Sequence, residues 1–332
     1  MKKLFKIVLI IVLAFALGMG GLTLYMSSLL SKVEKGEAIA KDDAAIAEEV
    51  RNRPSLVTNI ALFGADTDDQ DPNSTNEHRS DAIKIVSLDY THRKIKITSV
   101  ERDLVVFMPG DVQEYGHLNW AYWYGGPKLA VQTLNYNLDL DITKYVAFSF
   151  NAVQKMVEKV GGVDVQLTEA ERWQMPGELK QNSDGTYHLN GEQAMKYCRI
   201  RNIDSDFNRM DRQNNVIKAI VRQAKKLSIG ELTELVNEMM PYITTNLSAV
   251  DVARYLSSLL LFDLEHIETY KAPSGEYDDI VNCPGIGGYM VKSYTAMVQE
   301  VHENIYGKVS YKVSEQCKQN EADIYATYGK WW

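Results

Sequence analysis

One uncharged stretch near the N-terminus constrains the architecture more than any other part of the chain. Residues 7–30 carry no charged side chain, and they follow a short segment that contains Lys2, Lys3 and Lys6. A helix rises about 1.5 Å per residue, so a helix of this length spans the roughly 30 Å hydrocarbon core of a bilayer. The stretch predicts either a membrane helix or a signal peptide.

The length of this stretch favours a transmembrane helix that is retained. A cleaved signal peptide has an apolar region of about 7–15 residues followed by a small-residue cleavage site. Here the apolar run is longer, and its second half offers no clear A-x-A pattern. The lysines place residues 1–6 in the cytoplasm, because positive charges flank the cytoplasmic end of membrane helices. We therefore predict a single-pass protein of the cell membrane whose main domain is extracellular.

The remainder of the chain divides into three predicted parts. Residues 31–54 are rich in Ala, Glu and Lys and end near Pro54, which is typical of a helical or semi-rigid spacer. Residues 55–228 alternate between short apolar runs and helical patterns and form the predicted main domain. Residues 229–332 are interpreted as a C-terminal helical extension, with Pro241 as a break.

The main domain is predicted to be α/β. Runs at 59–63, 82–88 and 94–100 are rich in β-branched residues and predict strands. The later segments KYVAFSF, NAVQKMVEKV and VDVQL predict a strand, a helix and a strand, a spacing that is typical of a crossover unit. We therefore expect a mixed central β-sheet flanked by helices.

Composition excludes some functions and leaves one question open. The net charge of −8 argues against binding to nucleic acid through a broad basic surface. The three cysteines, Cys198, Cys283 and Cys317, show no spacing that is typical of zinc. Pairing of Cys283 with Cys317 in an oxidising exterior is neither favoured nor excluded.

The segment from His188 to Gln213 gathers arginines that are suited to anion binding. Asn190 and Gln193 resemble a capping box, which begins a short helix leading to Arg199. If the chain from Cys198 to Asn202 is extended, Arg199 and Arg201 share one face. On the following helix, which begins near Asp206, three residues lie on one side: Asp206, Arg209 and Gln213. The alternative is that each arginine forms a surface ion pair worth only ~0–1 kcal/mol.

A second charged group follows the ends of predicted strands. Asp66 comes just after the first strand, Asp81 enters the second, and Arg102 and Asp103 follow the third. Ligands of α/β proteins tend to bind at strand ends, and Mg²⁺ is usually held by one or two carboxylates together with substrate phosphates. These residues predict a divalent-cation site, whereas the acidic run 67–71 is more typical of a solvated loop.

Taken in order, several segments resemble the LytR-CpsA-Psr family of Gram-positive cell-envelope proteins. They cover the chain from about Asn59 to Ala224 and are NIALFGAD, RSDAIKIVSLD, ITSVERD, LNWAYWYGGPKLAV, VGGVDVQL, HLNGEQAMKYCRIR and DFNRMDRQ. The resemblance implies an α/β/α catalytic domain. It also implies a phosphotransferase that moves an anionic glycopolymer, such as a teichoic acid or capsule, from undecaprenyl pyrophosphate to peptidoglycan through a phosphodiester.

The resemblance also implies roles for individual residues. The metal, Mg²⁺ or alternatively Mn²⁺, would be held by Asp66 and Asp81. Catalysis would rest on Asp81, Arg102, Arg201 and Asp103, with Asp81 and Asp103 as candidates for the general base. The pyrophosphate would be bound by Arg79, Arg102, Arg199, Arg201, Arg209 and Gln213. The sequence departs from the family at Glu101, where proline is common, and at Asn208, where glycine is usual.

Two other functions remain as alternatives. The first is a polyprenyl phosphate-binding scaffold that keeps the arginines for binding without efficient chemistry. The second is a transcriptional attenuator, which the predicted exterior position and the acidic composition oppose. The sequence does not predict the polymer or the oligomeric state.

Overall fold

The computed structural model describes residues 27–28, 30–51, 55–65, 79–259, 261–274, 280–307 and 311–329. Strands β1 to β14 are, in chain order, Glu34–Lys35, Val57–Ala65, Ser80–Asp89, Lys94–Val100, Val105–Met108, Glu114–His117, Lys144–Ser149, Val163–Val165, Lys180–Gln181, Tyr187–Leu189, Ile243–Thr245, Asp263–Ala272, Ile280–Asn282 and Tyr289–Val291. Helices α1 to α10 are Glu48–Arg51, Leu118–Leu138, Phe150–Lys159, Glu169–Arg172, Gly191–Arg199, Asp206–Ala224, Ile229–Met239, Ala249–Leu259, Tyr294–Tyr306 and Glu315–Tyr328.

The centre of the fold is a seven-stranded sheet with the order β1-β11-β7-β2-β3-β4-β12. It is mixed, because β2 pairs in parallel with β7 and antiparallel with β3, and β4 pairs in parallel with β12. This confirms the predicted α/β class with a mixed central sheet. The three strands predicted from β-branched runs are β2, β3 and β4, each at or slightly beyond its expected bounds.

Helices cover both faces of the sheet because its central strands are apolar on both sides. On one face, Phe63, Ile83 and Ile85 pack in a core with residues of α2, α9 and α10. On the other face, Leu88 and Ile97 pack with residues of α6 and α8. Helices α3, α5, α6 and α7 form a second apolar cluster around the small antiparallel sheet β8-β10-β9.

Several strands meet at one edge of the central sheet, which positions the site described below. Ala65 at the end of β2 pairs with Ser80 at the start of β3 and with Ser149 at the end of β7. Val100 at the end of β4 pairs with Ala272 at the end of β12. We call this edge the site edge.

Local signals in the sequence account for several helix boundaries. Asn190 and Gln193 form the predicted capping box at the start of α5, and α6 begins at Asp206 as expected. Helix α2 consists of two helical segments joined across Gly125 and Gly126, which have non-helical backbone angles. This pair of glycines therefore divides α2 into two segments.

The predicted crossover unit is wrong in its last strand. Strand β7 and helix α3 occur as expected, but β8 does not return to the central sheet. It pairs antiparallel with β10 in the separate three-stranded sheet. The parallel partner of β7 is instead β2, which precedes it in the chain.

Residues beyond 228 are not only helical. The segment 229–264 was predicted to be helical, yet it supplies β11 and the start of β12, both of which join the central sheet. The apolar pattern of such short strands does not differ from that of a buried helix. The position of the domain boundary at residue 228 stays a prediction.

The segment predicted as a spacer packs against the main domain. Its apolar residues Ile39, Ala44, Ile46, Ala47 and Val50 are buried in the core that holds α2 and α9. Strand β1 also pairs in parallel with β11. Burial of these side chains explains why residues 31–51 do not stand apart from the domain.

The predicted membrane helix over residues 7–30 lies outside the described residues except for residues 27, 28 and 30. Within the described part of the chain, no helix has the length and apolar character needed to cross a bilayer. The three cysteines are buried and free, so Cys283 and Cys317 do not form a disulfide.

Candidate functional site

Four parts of the chain bring charged side chains together at the site edge. The start of β3, the turn after β4, the segment after α5 and the first turn of α6 each contribute. We call the resulting group the charged cluster, and it consists of Asp81, Glu101, Arg102, Asp103, Arg201, Asp206 and Arg209.

Asp81 joins the two predicted halves of the site. Its Oδ1 accepts a hydrogen bond from Nη1 of Arg102, and its Oδ2 accepts one from Nη2 of Arg201 at 3.0 Å. Hydrogen bonds between charged groups are about twice as strong as neutral ones, so these contacts orient both guanidinium groups. The strand-end residues and the arginine-rich segment therefore form one site.

Arg102 lies at the centre of the charged cluster. Its Nε is 3.3 Å from Oδ2 of Asp103 and 3.9 Å from Oδ2 of Asp206. Burial alone would lower the pKa of Arg102, but the charges of Asp81, Asp103 and Asp206 raise it above its ordinary value. The guanidinium is thus fixed and fully charged beside several carboxylates.

Arg209 is buried and keeps two donors without an acceptor. Its Nη2 donates to Oδ2 of Asp206 at 2.6 Å, whereas Nε and Nη1 have no hydrogen-bond partner among the described residues. Burial and the neighbouring charge of Arg102 lower the pKa of Arg209. Buried donors without partners are costly, so this arrangement favours an incoming anion.

Glu101 is fully buried behind the cluster. Its Oε1 accepts a hydrogen bond from the backbone N–H of Asp103 at 3.2 Å, while Oε2 has no hydrogen-bond partner among the described residues. Burial, followed by the charge of Asp206, raises the pKa of Glu101 to about 8. The raised pKa favours the protonated form of Glu101 at neutral pH.

Asp103 faces a second pair of polar side chains. Its Oδ1 lies 3.4 Å from Nδ1 of His117 and 3.5 Å from Nδ2 of Asn119. Burial would raise the pKa of Asp103, but the hydrogen bond with His117 and the charge of Arg102 bring it below its usual value. Asp103 is therefore ionised and connected to a histidine.

Arg79, two residues before Asp81, lies against an aromatic surface of α2. The centre of its guanidinium lies 5.4 Å from the ring centroid of Trp123 and 6.0 Å from that of Trp120. Trp123 in turn stacks on Tyr124 at 4.7 Å between centroids. Cations over aromatic faces are attracted by the ring quadrupole, so these tryptophans orient Arg79.

Three other residues of the segment from His188 to Gln213 are not part of the charged cluster. Arg199 is the exposed last residue of α5, which includes Cys198 and Arg199 and ends there. The prediction of an extended chain from Cys198 to Asn202 is therefore wrong for its first two residues. Gln213 is buried one helical turn after Arg209. Arg212 bonds to Glu171 at 2.7 Å and to the Ile200 carbonyl at 3.1 Å, which gives it a structural role.

An apolar cavity adjoins the charged cluster under the sheet. It measures about 40 Å³ and is lined by Ala82, Phe148, Val153, Met195, Gln213 and Val216, among others. Lys84 also lines it, with its Nζ bonded to Ser99 and Asn214 at 2.8 Å each. Gln213 therefore lies between the anion-binding side chains and an apolar space.

The predicted metal ligands are only partly described. Asp66 lies outside the described residues, and Asp81 lies within the charged cluster. The described parts of the chain contain no group of three or more potential metal-ligating side chains. The three arginines of the cluster face three aspartates, and neutral Glu101 leaves it without net charge. An added divalent cation would make this site markedly more attractive to a polyanion.

Sequence reasoning did not assign functions to Glu101, His117 or Asp206. Glu101 stood out only as a departure from the family at a position next to Arg102, and Asp206 as a helix start on the same side as Arg209 and Gln213. His117 precedes α2 without any motif of its own. The pairing of β4 with β12 and the packing of α6 bring these residues together, and neither contact is visible in local sequence.

Comparison with known proteins was made by sequence and by structure. The model of the LytR_cpsA_psr family matches residues 22–307. Biofilm regulatory protein A of Streptococcus mutans is 30% identical over 265 residues, which are 73% of this chain and 63% of that protein. Polyisoprenyl-teichoic acid–peptidoglycan teichoic acid transferase TagT of Bacillus subtilis is 28% identical over 254 residues, covering 74% of this chain and 75% of the relative.

Solved structures show the same fold. The structure described as TagT bound to LIIa-WTA aligns with a TM-score of 0.62 and 26% identity, covering 82% of this chain and 97% of that one. Protein gbs0355 from Streptococcus agalactiae aligns with a TM-score of 0.65 at 23% identity, covering 83% and 96% of the two chains. At that identity the second likeness concerns the fold alone.

Proposed function

Because the chain belongs to the LytR_cpsA_psr family, we propose that it is a phosphotransferase that moves an anionic glycopolymer from undecaprenyl pyrophosphate to peptidoglycan. The observation that carries the proposal is the convergence of three arginines at the site edge, where Arg102 shares Asp81 with Arg201 and lies near Asp206, the partner of Arg209. Relatives named as polyisoprenyl-teichoic acid–peptidoglycan teichoic acid transferases support this class of reaction.

The arginines would bind the pyrophosphate of the donor. Nε and Nη1 of Arg209 offer two buried donors, and Arg102 and Arg201 can exchange contacts with Asp81 for contacts with phosphate oxygens. Arg79, Arg199 and Gln213 would complete this set at its margins. Positioning and charge neutralisation supply most of the catalysis in phosphoryl transfer.

Asp66 and Asp81 would hold Mg²⁺, or alternatively Mn²⁺. The charge balance of the cluster supports this, because a pyrophosphate would otherwise meet as many carboxylates as arginines. Hard oxygen ligands of this kind are those that Mg²⁺ prefers, with phosphate oxygens as further ligands. When bound, the ion would neutralise charge on the pyrophosphate as its bond to the departing undecaprenyl phosphate breaks, while the other phosphate stays in the new phosphodiester.

Proton removal from the attacking sugar hydroxyl would fall to Asp81 or Asp103. Asp103 is kept ionised by Nδ1 of His117 at 3.4 Å and by Arg102, so its carboxylate is available to accept a proton. Asp81 has both carboxylate oxygens bound by arginines, and it would first have to release one.

The apolar cavity beside Gln213 supports an isoprenoid donor. Its lining by Ala82, Phe148 and Val153 suits the first part of a polyprenyl chain. With a volume of about 40 Å³, the cavity must widen by movement of α3 or α5 before a lipid tail can enter.

We extend the proposal to the topology of the chain. Residues 1–6 would be cytoplasmic and 7–30 would span the membrane, so that the catalytic domain lies outside a Gram-positive cell. Protease treatment of intact protoplasts tests this placement. Digestion of the domain by the external protease supports the extracellular placement, and protection of the domain contradicts that placement.

The test of function is transfer of a lipid pyrophosphate-linked saccharide to peptidoglycan by the full-length protein. Arg201→Ala is expected to lower the rate at least a hundredfold, because a charge-assisted contact in the transition state is lost. Arg222→Ala, an exposed arginine at the far end of α6, is the matched control and should leave the rate unchanged. Removal of divalent ions with a chelator should stop transfer, and added Mg²⁺ should restore it.

A binding scaffold is the second candidate function. It is favoured by the mutual neutralisation of the cluster and by relatives named as regulatory proteins. Co-purified polyprenyl phosphate without any turnover in the transfer assay would select this alternative.

A further inference from the structure

A polar cleft opens at the site edge, and no residue of the charged cluster lines it. It measures about 140 Å³ and is lined by strand ends and by side chains of three different segments. The side chains that matter for its chemistry are Glu34, Tyr122, Phe148, Ser149, Tyr242 and Thr244. The proposed transfer reaction leaves this cleft without a role.

The lining combines hydrogen-bonding groups with aromatic rings. Glu34 is exposed, and its Oε2 accepts a hydrogen bond from Oγ1 of Thr244 at 2.8 Å. Burial, followed by the nearby Tyr145 and Glu34, raises the pKa of Tyr122 to about 12, so its hydroxyl stays a donor at neutral pH. A cleft of this kind offers both donors and acceptors within a small space.

The aromatic part of the wall is held in place by a lysine. Nζ of Lys155 lies 4.1 Å from the ring centroid of Tyr242 and donates to its hydroxyl. The ring is therefore fixed against α3. Aromatic faces pack against the apolar C–H surface of a sugar ring, while carboxylates and hydroxyls bind its hydroxyl groups.

Charge excludes the alternative of a second phosphate site. The carboxylate of Glu34 lines the cleft, and like charges repel at short distance. Among the described residues that line the cleft there is no lysine or arginine, and Lys155, which contacts the lining residue Tyr242, donates to its hydroxyl. A neutral ligand rich in hydroxyl groups fits this lining better than an anion does.

The position of the cleft links it to the reacting centre. Ala65 lines the cleft, and it pairs with Ser149 on one side and with Ser80, the residue before Asp81, on the other. Neighbouring strands are about 4.8 Å apart, so the cleft lies one or two strand spacings from Asp81. This distance suits a sugar ring that is bonded to the reacting phosphate or a ring whose hydroxyl attacks that phosphate.

The cleft also touches the apolar cavity. Phe148 lines both spaces, so its ring separates a polar compartment from an apolar one. Three chemically different spaces thus adjoin at the site edge: an anion-binding cluster, an apolar cavity and a neutral polar cleft.

We propose that this cleft binds a neutral saccharide ring next to the reacting phosphate, with Glu34 and Tyr122 bonding its hydroxyls and Tyr242 packing on its face. The role of the cleft in the transfer reaction rests on the proposed function, whereas the binding of a saccharide in the cleft does not. The ring belongs either to the first sugars of the donor polymer or to the acceptor glycan, which present the same chemistry.

The experiment measures saccharide binding separately from phosphate binding. Full-length protein in detergent is titrated by NMR with a peptidoglycan disaccharide, with a lipid-free disaccharide of the donor polymer, and with inorganic pyrophosphate. Glu34→Gln and Tyr122→Phe are close in shape to the native residues and remove one charge or one hydroxyl. Glu37→Gln is the matched control, because Glu37 pairs with Lys128 outside the cleft.

The expected result is a loss of about tenfold in affinity for one of the two disaccharides in Glu34→Gln, because a hydrogen bond to a charged group is removed. Pyrophosphate affinity should not change, and Glu37→Gln should bind as wild type does. The disaccharide that loses affinity identifies the source of the ring. In steady-state assays, the KM for that same substrate should rise while kcat changes little.

Two outcomes overturn the inference. One is that neither disaccharide binds to the wild-type protein, and the other is that both variants bind them with unchanged affinity. Failure of the proposed function has a different signature, because transfer and pyrophosphate binding would then be absent while saccharide binding remained sensitive to Glu34.

Discussion

Arg201 and Asp81 are 120 positions apart in the sequence, yet Nη2 of Arg201 donates to Oδ2 of Asp81 at 3.0 Å. The same carboxylate also binds Arg102, so it neutralises two arginines at once. Asp81 therefore holds the arginines in place but also competes with any anion that they bind.

The first prediction concerns this competition. Asp81→Asn is expected to bind inorganic pyrophosphate about tenfold more tightly in the presence of a chelator, because one negative charge near the anion is removed. The same variant should gain less affinity from Mg²⁺ than wild type, since a proposed ligand is lost. Calorimetric titration with and without Mg²⁺ measures both effects. Asp211→Asn, which pairs with Lys271 away from the cluster, is the control.

Weaker pyrophosphate binding by Asp81→Asn in chelator would contradict this account. It would mean that Asp81 acts mainly as the support that orients the arginines. The direction of the change in pyrophosphate affinity therefore shows whether Asp81 mainly competes with the anion or mainly orients the arginines.

The second prediction is a pH dependence caused by Glu101. Its pKa is about 8 in the folded protein, raised by burial from the ordinary value of 4.5. The folded state thus binds an extra proton between these values, and the free energy of unfolding falls as pH rises from about 5 to 8. The effect is on the order of a few kcal/mol, shared with Asp206, to which Glu101 is coupled.

Glu101→Gln should flatten this part of the stability profile, because the amide does not ionise. Urea unfolding at several pH values between 5 and 8 measures the slope. Glu192→Gln, an exposed substitution on α5, should keep the wild-type slope. An unchanged slope in Glu101→Gln would show that Glu101 is ionised in the folded protein.

The third prediction concerns Lys84, for which the free energy of unfolding should change with pH in the opposite direction. Burial lowers the pKa of Lys84 from 10.5 to about 7. The unfolded chain therefore binds more protons than the folded one between these values, and the free energy of unfolding rises with pH above 7. Lys84→Met should remove this rise, whereas Lys196→Met on the exposed side of α5 should retain it. Thermal unfolding between pH 7 and 10 provides the measurement.

The fourth prediction concerns the aromatic support of Arg79. Trp123→Ala should weaken pyrophosphate binding about two- to fivefold, since cation–π contacts at exposed sites contribute ~0.5–1 kcal/mol. Trp123→Phe should retain part of the affinity. Trp173 is 81% exposed and provides the control substitution Trp173→Ala. Equal effects of both alanine substitutions would show that the contact with Arg79 is not involved.

The sequence predicted the elements that carry strong local signals. β-Branched runs identified β2 to β4, and the capping residues Asn190 and Gln193 identified the start of α5. These features depend on neighbours within a few positions, which a sequence displays directly. The grouping of Arg102 with Arg201, which are far apart in the sequence, was implied only by the family resemblance.

The sequence did not predict features that depend on distant contacts. Strands β11 and β12 are short or irregular in pattern, and they are strands because β7 and β4 present open edges to them. The protonation of Glu101 depends on burial beneath Asp206, which requires the packed fold. The apolar residues between 39 and 50 gave no sign of the surface on which they pack.

The pairing of β12 with β4 has a consequence for protein synthesis. The backbone N–H of Glu101 donates to the carbonyl of Ala272 at 2.9 Å, so the turn that carries Arg102 and Asp103 is held by a strand made much later. A nascent chain that ends before residue 263 contains every candidate site residue but lacks this strand. Copies that end before residue 263 would thus be unable to set the turn, and the site would become competent only after β12 has been synthesised.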